Sequence, residues 1–115
     1  MKKLLISGLI VLVIFVIYLS NMDKKVYYLA LGDSLASGEG AYGKKIIGYT
    51  DDVKNYLKEK NLLEKFVDNY AKDGYRTTDL LNAIKDNKKT KIAGKTITLQ
   101  NALIKADLVT LSIGA

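Results

Sequence analysis

The apolar residues of this chain fall into blocks of different length and period, and each block predicts a different element. The first runs from Leu4 to Leu19, interrupted only by Ser7 and Gly8. Coiled as a helix, residues 4–19 rise about 24 Å. That is slightly short of the roughly 20 residues that cross a hydrocarbon core. The second block, Val26-Tyr27-Tyr28-Leu29-Ala30-Leu31, is continuous and stops at Gly32. A short unbroken apolar run of this kind predicts a strand buried on both faces, as in a parallel sheet. Gly32, Gly38, Gly40, Gly43 and Gly48 then mark residues 32–49 as a loop.

Helical spacing returns at Val53, Tyr56 and Leu57, behind a cap at Thr50 or Asp51, and Asn61 is expected to end or bend that helix. Residues 66–70 predict a second strand and Gly74 a turn. Thr77 is placed to cap a helix carrying Leu80, Leu81 and Ile84. Residues 85–95 are polar and lysine-rich, which predicts an exposed loop. Leu99, Ala102, Leu103 and Ala106 predict a helix over 98–106, and residues 108–113 a third strand. Strands alternating with helices give the order of a doubly wound α/β domain with a parallel sheet. Ligands in such sheets bind beyond the carboxyl ends of the strands. The segments after Leu31, around Gly74 and at Gly114-Ala115 fall there. With no proline and no Ser/Gly-rich linker, residues 1–22 read as an anchor or signal segment and 23–115 as one domain directly after it.

Charge refines the first block. Lys2 and Lys3 precede it, and its exit, Ile17-Tyr18-Leu19-Ser20-Asn21-Met22, lacks the small-residue pattern of a cleavage site. The expectation is an uncleaved anchor with Tyr18 at the headgroup level, the N-terminus inside and the domain extracytoplasmic; a cleaved segment would make the domain secreted. Lys24 and Lys25 on the far flank weaken that orientation bias. The formal charge is +6, and setting aside Lys2 and Lys3 lowers it to +4. The lysines are scattered, with short runs at Lys44-Lys45 and Lys88-Lys89 besides the flanking Lys24-Lys25, which is a solvated surface and argues against a nucleic-acid partner. There is no cysteine, which excludes disulfides and thiolate chemistry, and no histidine, the usual base for an activated serine.

Candidate chemistry centres on Gly32-Asp33-Ser34-Leu35. A serine directly after a buried strand presents its hydroxyl at the sheet's edge, and Gly32 permits the sharp exit. With a helical turn starting at Ser34, its backbone N–H is free to face an oxyanion. A serine hydroxyl is a weak nucleophile until a base takes its proton.

The stretch from Tyr28 to Gly40, including Gly32-Asp33-Ser34-Leu35, resembles the first block of the GDSL (SGNH) hydrolases, strand included. Asn69-Tyr70-Ala71-Lys72-Asp73-Gly74, followed by Thr77-Thr78-Asp79-Leu80-Leu81, is similar to that family's second block. Ala106 to Ala115 is similar to the approach to the third. The resemblance covers residues 26–115 and implies the SGNH hydrolase fold, three-layer α/β/α around a flavodoxin-like doubly wound parallel sheet, truncated here after the third strand. It implies a serine esterase, lipase or acylhydrolase with no cofactor and no metal, acting on an acyl ester of a lipid or carbohydrate. By that resemblance Ser34 is the nucleophile and one oxyanion donor, and Gly74 is a second donor. Gly32, Asp33 and Leu35 support the motif, with Asp33 shaping the loop. The family's third-block asparagine and its Asp-x-x-His block have no counterpart in these residues, so the 115 residues alone are expected to turn over ester near background. The strand at 108–113 is expected to form an apolar edge that lowers solubility.

Two other classes stay open. Gly38-Glu39-Gly40-Ala41-Tyr42-Gly43 fits a dinucleotide fingerprint, and Gly38 to Lys44 fits the start of a P-loop. The fingerprint belongs directly between a strand and a helix, however, and Lys45 stands where a P-loop carries Ser or Thr. A membrane-anchored fragment without chemistry is the third class. Asp51-Asp52 suits the start of a helix better than a metal.

Overall fold

The computed structural model describes residues 1–20 and 22–114. The apolar block forms α1 (Lys2–Ser20), a 19-residue helix with no buried residue, long and apolar enough to cross a membrane. β1 (Val26–Gly32) follows, then the single turn α2 (Ser34–Ser37), a 3-10 turn at Ala41–Gly43, and α3 (Tyr49–Glu59). The remainder comprises β2 (Leu63–Val67), α4 (Thr77–Lys85), β3 (Lys89–Ile92), β4 (Lys95–Thr98), α5 (Leu99–Lys105) and β5 (Leu108–Ser112).

Among the described residues, β2, β1 and β5 form a parallel sheet in that spatial order, with β1 central. Successive side chains of a strand point to opposite faces, so a central apolar strand feeds two cores at once. Tyr27, Leu29 and Leu31 face Leu80 and Ala83 of α4 and Leu99 and Ala102 of α5. Tyr28 and Ala30 face Leu57 of α3, with Val53 and Phe66 packed alongside. Helices therefore cover both faces of β1. The chain leaves β1 toward β2 and later crosses back to β5 on the other side, so the carboxyl end of β1 lies where the connections diverge. Such a divergence opens a crevice in α/β sheets.

The buried polar groups of this core are satisfied. Thr50 donates its hydroxyl to the Ala36 carbonyl at 2.9 Å, joining α3 to α2. Tyr70 donates to the Ile97 carbonyl at 2.7 Å, and burial raises its phenol pKa. The strand β5 has only β1 as a partner among the described residues, and its Val109 and Leu111 are exposed.

Three expectations need correction. The second strand lies at Leu63–Val67 rather than 66–70. Tyr70 instead leaves the sheet and turns into the core beneath the segment at Ile97. Residues 85–95 are not simply a loop. Lys89–Ile92 and Lys95–Thr98 pair antiparallel across Ala93-Gly94, both at positive φ (50° and 77°). That backbone fits the tight two-residue turn whose twist matches a hairpin. The lysines on the hairpin's outward face masked its period of two. Finally, the loop at 32–49 contains α2 and the 3-10 turn, and α3 starts at Tyr49 behind Gly48.

Candidate active site

The corner at the end of β1 is built by backbone contacts that only glycine admits. Gly32 has φ +138°, and a Cβ placed on it would lie 1.9 Å from the Ser112 carbonyl oxygen. The close approach lets three separate segments meet at one point. The Asp33 N–H donates to the Ser112 carbonyl at 2.9 Å, tying β1 to the end of β5. The Lys72 N–H donates to the Gly32 carbonyl at 3.1 Å, tying the segment before Gly74 to the same corner.

Asp33 is buried and acts as the N-cap of α2: its carboxylate accepts from the Leu35 N–H at 3.1 Å. Its carbonyl accepts from Ala36 and Ser37 at 3.1 and 3.0 Å. A capping side chain holds the first turn in place, so Asp33 orients Ser34 without touching its hydroxyl. Ser34 is the first residue of α2 and is half-buried. Its N–H and hydroxyl have no hydrogen-bond partner among the described residues. Leu35 next to it is exposed, pointing away from the core.

Asp33, Ser34, Asp73, Gly74, Tyr75, Arg76 and Gly114 line one cleft of about 210 Å³. Ser34 and Gly74 thus share a wall, although 40 positions separate them in the chain. Gly74 is left-handed (φ +73°), and nothing would meet a Cβ there. Its N–H is also without an acceptor among the described residues. An amide without an acceptor is the requirement for a donor to an oxygen that gains negative charge, and both residues meet it.

Asp73, Tyr75 and Arg76 were not singled out from the sequence. The available signal was their position flanking Gly74. Arg76 is turned toward α4, with its Nε 3.2 Å from Asp79, whose pKa is lowered by hydrogen bonds from the Arg76 backbone and side chain. Tyr75 accepts from Lys88 Nζ at 2.7 Å, and that bond raises the lysine pKa.

The glycine-rich stretch from Gly38 to Lys44 follows α2 rather than β1. Its amides are largely consumed within the loop. Gly38 N–H donates to the Ser34 carbonyl at 2.9 Å, Gly40 to Lys44 at 2.7 Å, and Ile46 back to Gly38 at 2.6 Å. A Cβ on Gly48 would lie 3.1 Å from the Leu35 carbonyl oxygen and 3.3 Å from the Gly38 Cα, and the Gly48 N–H donates to Asp51, which also holds Lys54. Burial opposes ionisation of Asp51, but Lys54 and the Gly48 amide outweigh it and lower its pKa. Asp51 thus braces the loop from the start of α3.

Compared with protein-family models, curated proteins and solved structures, the chain gives no match.

Proposed function

We propose that these residues carry the nucleophile and two oxyanion donors of a serine-dependent hydrolase of carboxylic acyl esters, of the GDSL type and the SGNH fold. The observation that carries this reading is the meeting of Ser34 and Gly74 in one cleft at the carboxyl end of the central parallel strand, both with unengaged N–H groups. The sequence resemblance supplies the chemistry, and the geometry is compatible with it.

Ser34 Oγ attacks the ester carbonyl carbon, and the carbonyl electron pair moves onto its oxygen. The N–H groups of Ser34 and Gly74 donate to that oxyanion. A general base accepts the Oγ proton and passes it to the departing alkoxide as the C–O bond breaks. Water, activated by the same base, then attacks the acyl-serine and restores the hydroxyl. The 115 residues contain no histidine, so base and third oxyanion donor belong to residues outside them in this proposal. Each missing donor typically costs about 2.7–4 kcal/mol of transition-state stabilisation. The substrate is the acyl ester of a lipid or carbohydrate, and α1 is an uncleaved anchor holding the domain outside the cytoplasm.

Chemical rescue tests the assignment. The 115-residue chain in detergent is treated with a fluorophosphonate at mildly alkaline pH, with and without added imidazole as the base. Imidazole should accelerate phosphonylation, with the adduct on the peptide containing Ser34, and Ser34→Ala should abolish it. Equal labelling of the Ser34→Ala protein would refute the nucleophile. Without imidazole, ester turnover should stay near the uncatalysed rate.

A further inference from the structure

The end of the sheet opposite Ser34 carries a second cleft, of about 250 Å³, lined by Lys65, Lys95, Lys105, Thr96 and Asn101 together with Tyr27. Three lysines line it and no carboxylate does; Glu64 lies outside the lining, and burial together with its charge raises the Tyr27 pKa. None of the three lysines is ion-paired among the described residues. Lys65 sits with its Nζ 5.9 Å from the Tyr27 ring, opposite its register partner on β1. Hydroxyl and amide groups beside three cations form a site for phosphate-like anions.

The cleft's position fixes what that anion belongs to. Tyr27 is at the amino end of β1, and Lys105 is the last residue of α5 before the chain enters β5. The same end of the sheet is where the chain arrives from α1. Lys24 is ion-paired to Asp107 at 3.0 Å, and Lys25 donates to Asn61 Oδ1 at 2.8 Å. With Lys24 and Lys25 held, the reach from Ser20 to Lys24 is at most about 14 Å. The amino end of the sheet therefore stays close to whatever bilayer α1 enters. Ser34 lies beyond the other end of β1, whose rise from Val26 to Gly32 is about 20 Å. The cleft there presents Asp33 and Asp73 along with Arg76, a poorer match to an anionic surface.

We propose that the basic cleft of Lys65, Lys95 and Lys105 binds anionic lipid headgroups of the bilayer that α1 enters, standing the sheet upright with the Ser34 cleft facing away. This rests on reading α1 as an uncleaved anchor. The ester that reaches Ser34 then arrives from the aqueous side, as an acylated carbohydrate or soluble ester rather than a lipid seated in that bilayer.

The absence of cysteine makes single labels unique. The full chain is reconstituted into vesicles containing headgroup-attached nitroxide lipid and labelled with a fluorophore at Ile104→Cys, exposed on α5 outside the cleft lining, or at Tyr42→Cys, on the exposed loop after α2. In vesicles with phosphatidylglycerol, the Ile104 label should be quenched and the Tyr42 label spared. A lysine near an anionic surface contributes about a fivefold bias. Phosphatidylcholine vesicles, high salt, or the triple variant K65E/K95E/K105E should each reduce Ile104 quenching at least about threefold. Stronger quenching at Tyr42 than at Ile104 would overturn the proposal. So would Ile104 quenching indifferent to lipid charge and to the triple variant. Vesicle flotation separates the two readings: a chain that does not float with vesicles removes the anchor and this proposal with it, whereas a floating chain with the wrong label quenched removes the proposal alone.

Discussion

Gly32→Ala probes the corner on which the candidate site is built. Three costs combine there. The residue sits at φ +138°, which an L side chain rarely adopts; holding a residue in such a region costs about 1–3 kcal/mol. The added Cβ would also stand 1.9 Å from the Ser112 carbonyl oxygen, against an ordinary contact of 3.4–4 Å. The strand β5 would have to retreat by about 1.5 Å, and the obstacle is backbone rather than a flexible side-chain tip. Overpacking of this kind costs about 1–3 kcal/mol. The retreat also stretches the Asp33 N–H to Ser112 hydrogen bond of 2.9 Å, whose buried loss adds about 1 kcal/mol. The expected total is about 3–7 kcal/mol, a large share of the about 5–15 kcal/mol available to a folded domain. The assay is urea unfolding of the full chain in detergent, followed by tyrosine emission, since the chain has eight tyrosines and no tryptophan. The micelle-bound α1, 19 residues long, would leave a persistent helical background in a helical signal. A Gly32→Ala protein within about 1 kcal/mol of wild type would refute the corner geometry.

Gly74→Ala is the contrasting case: φ is +73°, but the new Cβ meets nothing within 4 Å. It should cost only about 1 kcal/mol in the same unfolding assay, the backbone term alone. Tyr70→Phe removes a buried donor from the Ile97 carbonyl, bonded at 2.7 Å, and should cost about 1–3 kcal/mol by the same measurement. Asp107 supplies a pH test. The Tyr27 amide and the Lys24 ammonium lower its pKa below the usual 3.8. A carboxyl with a depressed folded-state pKa stabilises above the unfolded value, and loses that contribution as pH falls through the folded one. The melting-temperature gap between wild type and Asp107→Asn should therefore be full near neutrality and close as pH drops below about 3.8; a gap that stays constant through that range would refute the assignment.

The sequence by itself determined what each segment must do with water. An unbroken apolar run at residues 26–31 has no polar face to show, so it had to become the central strand. The stretch of residues 4–19 forms a helix of which no residue is buried among the described residues. Helical spacing around Leu57, Leu80 and Ala102 marked the faces that now cover β1. The motif around Ser34 was legible because a buried strand, a glycine exit and the serine just beyond it are local features.

Tertiary structure decided what local pattern leaves open. Residues 63–67 and 66–70 are similarly apolar, and the strand settled where β1 could pair while Tyr70 reached Ile97. The hairpin at Lys89–Thr98 was hidden because its outward positions are lysines, whose long stems tolerate either a loop or a strand. Which groups meet Ser34 depended on the sheet order, because only a parallel β2-β1-β5 arrangement brings the turns after β2 and β5 to the tip of β1. The convergence of Lys65, Lys95 and Lys105 was equally invisible in a chain where lysines look scattered, since proximity across elements is set by packing and not by spacing.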